Sequence, residues 1–118
     1  MKQYKRSTRI GEQILRDVST VLERELADKL SGLVTFTHVR VSSDLRYATI
    51  YYSVLGSGEQ EERAAGYLER ERKRIRHQIG QGLHLRHIPE ITFKFDPSVK
   101  EGIRIERLLN EIKADTSQ

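Results

Sequence analysis

Apolar residues recur at helical spacing in two long stretches of the chain. The first stripe follows Thr8 and consists of Ile10, Ile14, Val18, Val21, Leu22 and Leu26. The second follows Gly56-Ser57-Gly58 and consists of Ala64, Ala65, Leu68, Ile75, Ile79 and Leu83. This pattern predicts a helix that ends between Asp28 and Gly32, and a more highly charged helix that starts near Glu59.

Three other stretches have the composition and alternation of strands with one buried face. They are residues 33–42, 46–55 and about 88–96. Within the first, the apolar parity changes between Phe36 and Val39, which predicts either a bulge or an exchange of faces. A short terminal helix is indicated by Ile103, Leu108, Leu109 and Ile112.

The order helix, strand, strand, helix, strand predicts an α+β fold with a three-stranded sheet covered on one face by helices. That order permits the bacterial type of KH topology. We expect a flexible basic arm over residues 1–7, a single domain over 8–112, and a frayed tail over 113–118.

Composition narrows the class of protein. With 118 residues, 36% of them hydrophobic and 32% charged, the chain supports one domain with one core. The absence of Cys excludes disulfides and thiolate metal sites, and fits a cytoplasmic location. No apolar run approaches the ~20 residues of a membrane span, and the polar N-terminus does not resemble a signal peptide.

The formal charge of +4 is the sum of two basic clusters and an acidic remainder of the chain. Residues 1–16 contain five basic side chains and one acidic one, and so do residues 70–76. Basic clusters on an otherwise acidic chain predict a surface for a polyanion. The alternatives are a solvated helix face for the second cluster and simple solubility for the first.

The residue patterns of catalysis and metal binding are missing. The four His residues do not form a metal-ligand pattern, and no nucleophile elbow or phosphate-binding glycine loop occurs. Ser42, Ser43 and Asp44 are predicted to form a turn, and Arg46 either fixes that turn or touches RNA. Tyrosines at 47, 51 and 52 either stack on bases or pack across strands. We therefore expect no catalytic residue, no metal and no cofactor.

Three blocks of the sequence resemble the ribosome-binding factor A family, and they stand in the family's order. The first is Arg9-Ile10-Gly11-Glu12-Gln13-Ile14. The second is Val41-Ser42-Ser43-Asp44-Leu45 with Ala48, Tyr51 and Ser53. The third contains Ile75-Arg76, Ile79-Gly80, Leu83, Leu85-Arg86, Pro89-Glu90-Ile91, Phe93, Asp96, Ser98, Gly102, Arg104-Ile105 and Leu108-Leu109.

The resemblance implies a KH-like fold of type II topology, α-β-β-α-(α)-β, and a cytoplasmic, non-enzymatic bacterial protein. It implies binding to the immature 30S ribosomal subunit and its 16S rRNA, with a role in late maturation and precursor-rRNA processing. We expect a monomer without a membrane partner. The residues expected to contact RNA are Arg6, Arg9, Arg70, Lys73, Arg74 and Arg76.

One family feature does not match simply. KH domains clamp nucleotides with a Gly-x-x-Gly loop, whereas the resembled family has an Ala-x-Gly kink between two helices. Here the kink position falls on Glu71-Arg72-Lys73, whereas the residue types of the kink occur seven residues earlier, in Ala64-Ala65-Gly66. The kink either moves to residues 64–66, forms at 71–73 without glycine, or is absent.

Three alternative functions stay open from the sequence. The domain could bind a different RNA, or it could be an adaptor whose third strand or helix face docks an assembly GTPase. A metal-dependent nuclease is the enzymatic alternative, and the missing motifs count against it.

Overall fold

The computed structural model describes residues 5–30 and 33–116. Its elements are helix α1 (Arg6–Asp17), a π-helical turn (Val18–Leu22), α2 (Glu23–Lys29), β1 (Leu33–Val41), β2 (Tyr47–Leu55), α3 (Gly58–Arg70), α4 (Arg72–Gly82), β3 (Glu90–Phe95) and α5 (Ser98–Thr116). The predicted α+β class and the type II order of elements are confirmed.

The sheet has the strand order β1-β2-β3, with β1 antiparallel and β3 parallel to the central strand β2. The register shifts between Phe36 and His38, which confirms the predicted bulge. One face is buried against the helices, and its central strand contributes Ala48, Ile50, Tyr52 and Val54. Alternate residues of β2 point away from this core, toward the opposite face of the sheet.

The first helical stripe has a period of four residues, and this period explains the π-helical turn. In an α-helix of 3.6 residues per turn, each step of four over-rotates by about 40°. Four such steps would carry the stripe from Ile10 to Leu26 across the helix. The wider turn over Val18–Leu22 corrects this drift, and Ile10, Ile14, Val18, Leu22 and Leu26 are all buried. Val21, predicted as part of the stripe, is exposed.

The charged second helix is divided into two. Ser57 caps α3, because its hydroxyl accepts from the Gln60 backbone N–H while its own N–H donates to the Gln60 side chain. The helix then breaks at Glu71, whose ψ of 6° lies outside the helical region. Ala64 is buried and Gly66 half-buried, both inside α3. The break therefore lies at the first of the positions 71–73 and uses no glycine.

Both predicted domain boundaries differ from the ends of the helices. Helix α1 begins at Arg6, inside the predicted arm, and α5 continues through Thr116, inside the predicted tail. Residues 1–4, 31–32 and 117–118 lie outside the described residues. The large apolar side chains described for α5 are 43–59% exposed, so they bury little surface. The radius of gyration is 17.3 Å, against about 13.5 Å for a compact chain of this length.

Candidate nucleic-acid interface

Arg76 ties the segment that precedes β3 to helix α4. Its guanidinium donates from Nε to the Pro89 carbonyl at 2.9 Å and from Nη2 to the Ile88 carbonyl at 2.6 Å. A longer ion pair joins it to Glu90 at 3.4 Å. The segment from Leu83 to Pro89 has no regular secondary structure. These hydrogen bonds satisfy two of its carbonyls and fix its position beside the helix.

The turn between β1 and β2 holds a second arginine at the same end of the sheet. Asp44 accepts hydrogen bonds from the Ser42 hydroxyl at 2.6 Å and from the Arg46 backbone N–H at 3.1 Å. These donors favour the carboxylate and lower the pKa of Asp44. The turn carries the Arg46 side chain into solvent, where it is 78% exposed and 4.0 Å from the Asp44 carboxylate. The predicted turn role of residues 42–44 is confirmed.

A cleft of about 440 Å³ opens between these two segments. Five of its lining side chains are basic or imidazole groups, and they are Arg6, Arg46, Arg76, Arg86 and His87. Its only lining carboxylates among the described residues belong to Asp44 and Glu90. Helix α1, the β1–β2 turn, helix α4 and the segment before β3 each contribute to it.

A groove of about 390 Å³ lies next to this cleft, between helix α4 and the start of β3. It is lined by Arg72, Lys73, Arg76, His77, Ile88, Glu90 and Ile91. Arg76, Ile88 and Glu90 line both spaces, so the two adjoin. We call the combined surface the basic cleft. Guanidinium and ammonium groups at this density are suited to phosphate oxygens.

The structure separates the residues predicted to contact RNA into two sets. Arg6, Lys73 and Arg76 line the basic cleft. The cleft is not lined by Arg9, which is exposed on α1, by Arg70, which is exposed at the end of α3, or by Arg74.

Arg74 is engaged by acidic side chains of its own domain. Its guanidinium is 3.0 Å from both Glu71 and Glu25, and it also donates to Gln78. The hydrogen bond with Glu71, aided by Glu25, raises the pKa of Arg74. The residue therefore joins α4 to α2 through Glu25 and to the helix break through Glu71. Its charge is largely compensated within the protein.

The break at Glu71 also changes the place of Arg72. By its phase in an unbroken helix this residue would face the core, where an arginine is costly. In the structure its Nε lies 3.4 Å from Glu69, and the side chain is partly exposed beside the groove. The break brings Arg72 and Lys73 to the same groove.

Arg86 and His87 were missed as site residues from the sequence, and so was His77. The segment that contains the first two is short, polar and adjacent to Pro89, and nothing in its periodicity indicates which side it faces. A signal did exist in its composition, because a loop between a helix and a strand often carries binding residues. Arg46 was considered for RNA contact, and it lines the cleft.

Among residues 5–30 and 33–116 there is no group of three His, Asp or Glu side chains that could hold a metal ion. Over those residues, no helix has the length and apolar character required to span a bilayer.

Comparison with known proteins places the chain in a family. The family model described as ribosome-binding factor A matches residues 6–109. The chain belongs to the ribosome-binding factor A family. The match includes every residue of the basic cleft, from Arg6 to Ile91.

Solved structures of the ribosome-binding factor A family share this fold. The crystal structure of ribosome-binding factor A from Thermus thermophilus aligns with a TM-score of 0.62 at 20% identity, over 75% of this chain and 93% of that one. The solution NMR structure of a Thermotoga maritima protein, proposed to be a ribosome binding factor A, aligns with a TM-score of 0.54 at 30% identity. That alignment spans 75% of this chain and 80% of the Thermotoga protein.

Proposed function

We propose that this member of the ribosome-binding factor A family binds the immature 30S subunit and its 16S rRNA through the basic cleft. There it assists late maturation and precursor-rRNA processing without catalysing a reaction. The observation that carries the proposal is the convergence of six basic side chains from separate segments on one surface, which only two carboxylates of the described residues line. Family membership supports the ribosomal target.

The cleft is suited to a phosphate backbone rather than to a single small anion. Its basic groups are spread from Arg6 on α1 to Lys73 on α4, so they can contact several phosphates in succession. Arg76 has two of its donors on protein carbonyls and is the least available. Each phosphate that the other basic groups neutralise releases counterions, and this release favours binding.

Binding of this kind is sufficient for an assembly role. A protein that binds one RNA conformer more tightly than its alternatives raises the population of that conformer. The expected consequence is a maturing subunit whose RNA stays in the processing-competent arrangement while the factor is bound. The factor needs no reactive group for this action.

The test is binding of the purified protein to small subunits, measured by cosedimentation at several salt concentrations. With about four phosphates neutralised, log affinity falls by roughly three for each log unit of salt. Arg86→Glu and Arg46→Glu each weaken binding at least tenfold. Arg63→Glu is the matched control, since it makes the same charge change on an exposed α3 residue paired with Glu59.

Two results would contradict the proposal. One is equal affinity of the Arg86→Glu and Arg63→Glu variants for small subunits. The other is full competition by an unrelated RNA of the same length, which would favour a domain for a different RNA. Binding that does not change with salt would instead favour docking on a protein such as an assembly GTPase.

A further inference from the structure

The face of the sheet that points away from the helices has an ordered arrangement of side chains. Strand register places His38, Tyr51 and Lys94 in one row across the three strands. The next row consists of Arg40, Thr49 and Thr92. Neither row contains a carboxylate, and neither contains a large aliphatic side chain.

The centre of this face is a pair of neighbouring, tilted rings. The Tyr51 and His38 ring centroids are 5.8 Å apart, with an angle of 33° between the ring planes. His38 is exposed and Tyr51 is half-buried. Two neighbouring rings on an open sheet offer aromatic surface of the kind on which unpaired bases stack.

Cations flank the rings on both outer strands. Arg40 and Lys94 are exposed, and neither forms an ion pair with a described residue. Two acidic side chains lie near this face. Glu12 lines a neighbouring cavity with His38 and Arg40, and Asp96 accepts hydrogen bonds from the Thr37 hydroxyl at 2.7 Å and from the Ser98 N–H at 2.9 Å. The Asp96 carboxylate is thus occupied at the edge of the face. Arg40 and Lys94 can therefore contact phosphates beside the rings.

Tyr47 connects this face to the basic cleft. It lines the cleft, and its side chain is 61% exposed at the start of β2. It lies on the same face as Tyr51, four residues earlier, which corresponds to about 13 Å along the strand. A strand of RNA that leaves the cleft can therefore continue over Tyr47 onto the ring pair. This continuity favours RNA over a protein segment as the occupant.

We propose that the open face of the sheet is a second RNA-binding surface, on which unpaired bases stack on Tyr51 and His38 while Arg40 and Lys94 bind the adjoining phosphates. The inference rests on the proposed function, and it adds the class of RNA recognised here. The basic cleft binds backbone of either form, whereas the sheet face selects single-stranded RNA that adjoins it.

The experiment measures the affinity of the purified full chain for two labelled RNAs. One is an unstructured single strand of about twelve nucleotides, and the other is a duplex of the same length. Tyr51→Val removes the ring and keeps a residue that favours strands. We expect it to bind the single strand about tenfold more weakly than wild type and the duplex equally well. Tyr51→Phe, which keeps the ring, stays within twofold for both.

The contribution of Lys94 is measured separately, by the salt dependence of binding. Lys94→Gln lowers the salt dependence of single-strand binding by about 0.7 in the log–log slope, because one phosphate contact is lost. Thermal unfolding by circular dichroism checks that each variant is folded.

The outcomes separate the two proposals. Unchanged single-strand affinity of a folded Tyr51→Val variant, with weakened binding by Arg86→Glu, would overturn the sheet-face proposal and leave the cleft intact. Failure of the wild-type protein to bind either RNA or small subunits would overturn the proposed function itself.

Discussion

Replacement of Arg76 by Met should destabilise the fold rather than simply remove a positive charge from the cleft. Methionine keeps the apolar stem but loses the two hydrogen bonds to the Ile88 and Pro89 carbonyls. A hydrogen bond from a charged group contributes about 1.5–3 kcal/mol. The Arg76 side chain is 37% exposed, so the lower value applies to each bond, and the expected loss is about 3 kcal/mol. The ion pair with Glu90 adds little, because that carboxylate is mostly exposed.

Urea unfolding followed by circular dichroism measures this loss. Lys73→Met is the matched control, since it removes an exposed cation from the same helix and should change the free energy of unfolding by no more than about 0.5 kcal/mol. Arg76→Lys should recover only part of the loss, because an ammonium cannot reproduce the planar fork that reaches both carbonyls. If Arg76→Met unfolded like Lys73→Met, the anchoring role of the guanidinium would be refuted.

Three further predictions concern other contacts. In Gly80→Ala, the new Cβ would overlap the Ile88 side chain, approaching its Cγ1 to 2.7 Å. We expect the free energy of unfolding, measured in urea, to fall by about 1–3 kcal/mol. A gain in stability would show that Ile88 moves freely. Thr37→Val removes the hydroxyl that chiefly lowers the pKa of Asp96. A carboxyl group whose pKa is lowered by folding stabilises the fold at pH values above its unfolded pKa of 3.8, and this stabilisation is lost as the pH falls through the folded pKa. The Thr37→Val variant should therefore have a smaller free energy of unfolding than wild type at pH 7. The difference should disappear at the acid end of a pH titration of that free energy. Removal of α5 (Ser98–Thr116) should leave that free energy within about 0.5 kcal/mol, because its large apolar side chains are exposed; a larger loss would show that the helix packs on the domain.

Periodicity predicted the elements of this fold well, because most of them have one buried face. The change of parity between Phe36 and Val39 located the bulge, since the sheet must keep apolar residues on one side. The four-residue spacing of Ile10, Ile14 and Val18 was visible too, but it was interpreted as an ordinary helix. The parallel pairing of β3 with β2 could not be derived, because element order alone permits other arrangements.

The site was predicted less completely than the fold. The position of a residue around its helix indicates whether the side chain is buried, but not which distant residues it contacts. Arg74 and Arg76 lie off the apolar stripe, as expected, yet both are held by contacts from distant residues. Those contacts depend on where α2 and the segment before β3 are placed in three dimensions. Arg86 was missed for the same reason, since its position in the cleft depends on the segment that Arg76 anchors.

The mixed topology of the sheet has a consequence for the order of folding. The β1–β2 hairpin closes through a short turn, whereas β3 pairs with β2 only after the chain between Tyr47 and Glu90 has been brought back. The longer closure costs more chain entropy before any contact compensates it. We therefore expect the hairpin to form first and β3 to dock late. The cleft needs both Arg46 from the hairpin turn and Arg86 from the segment before β3. Partly folded chains would therefore lack it, and only the completed domain would present the surface that we propose for RNA.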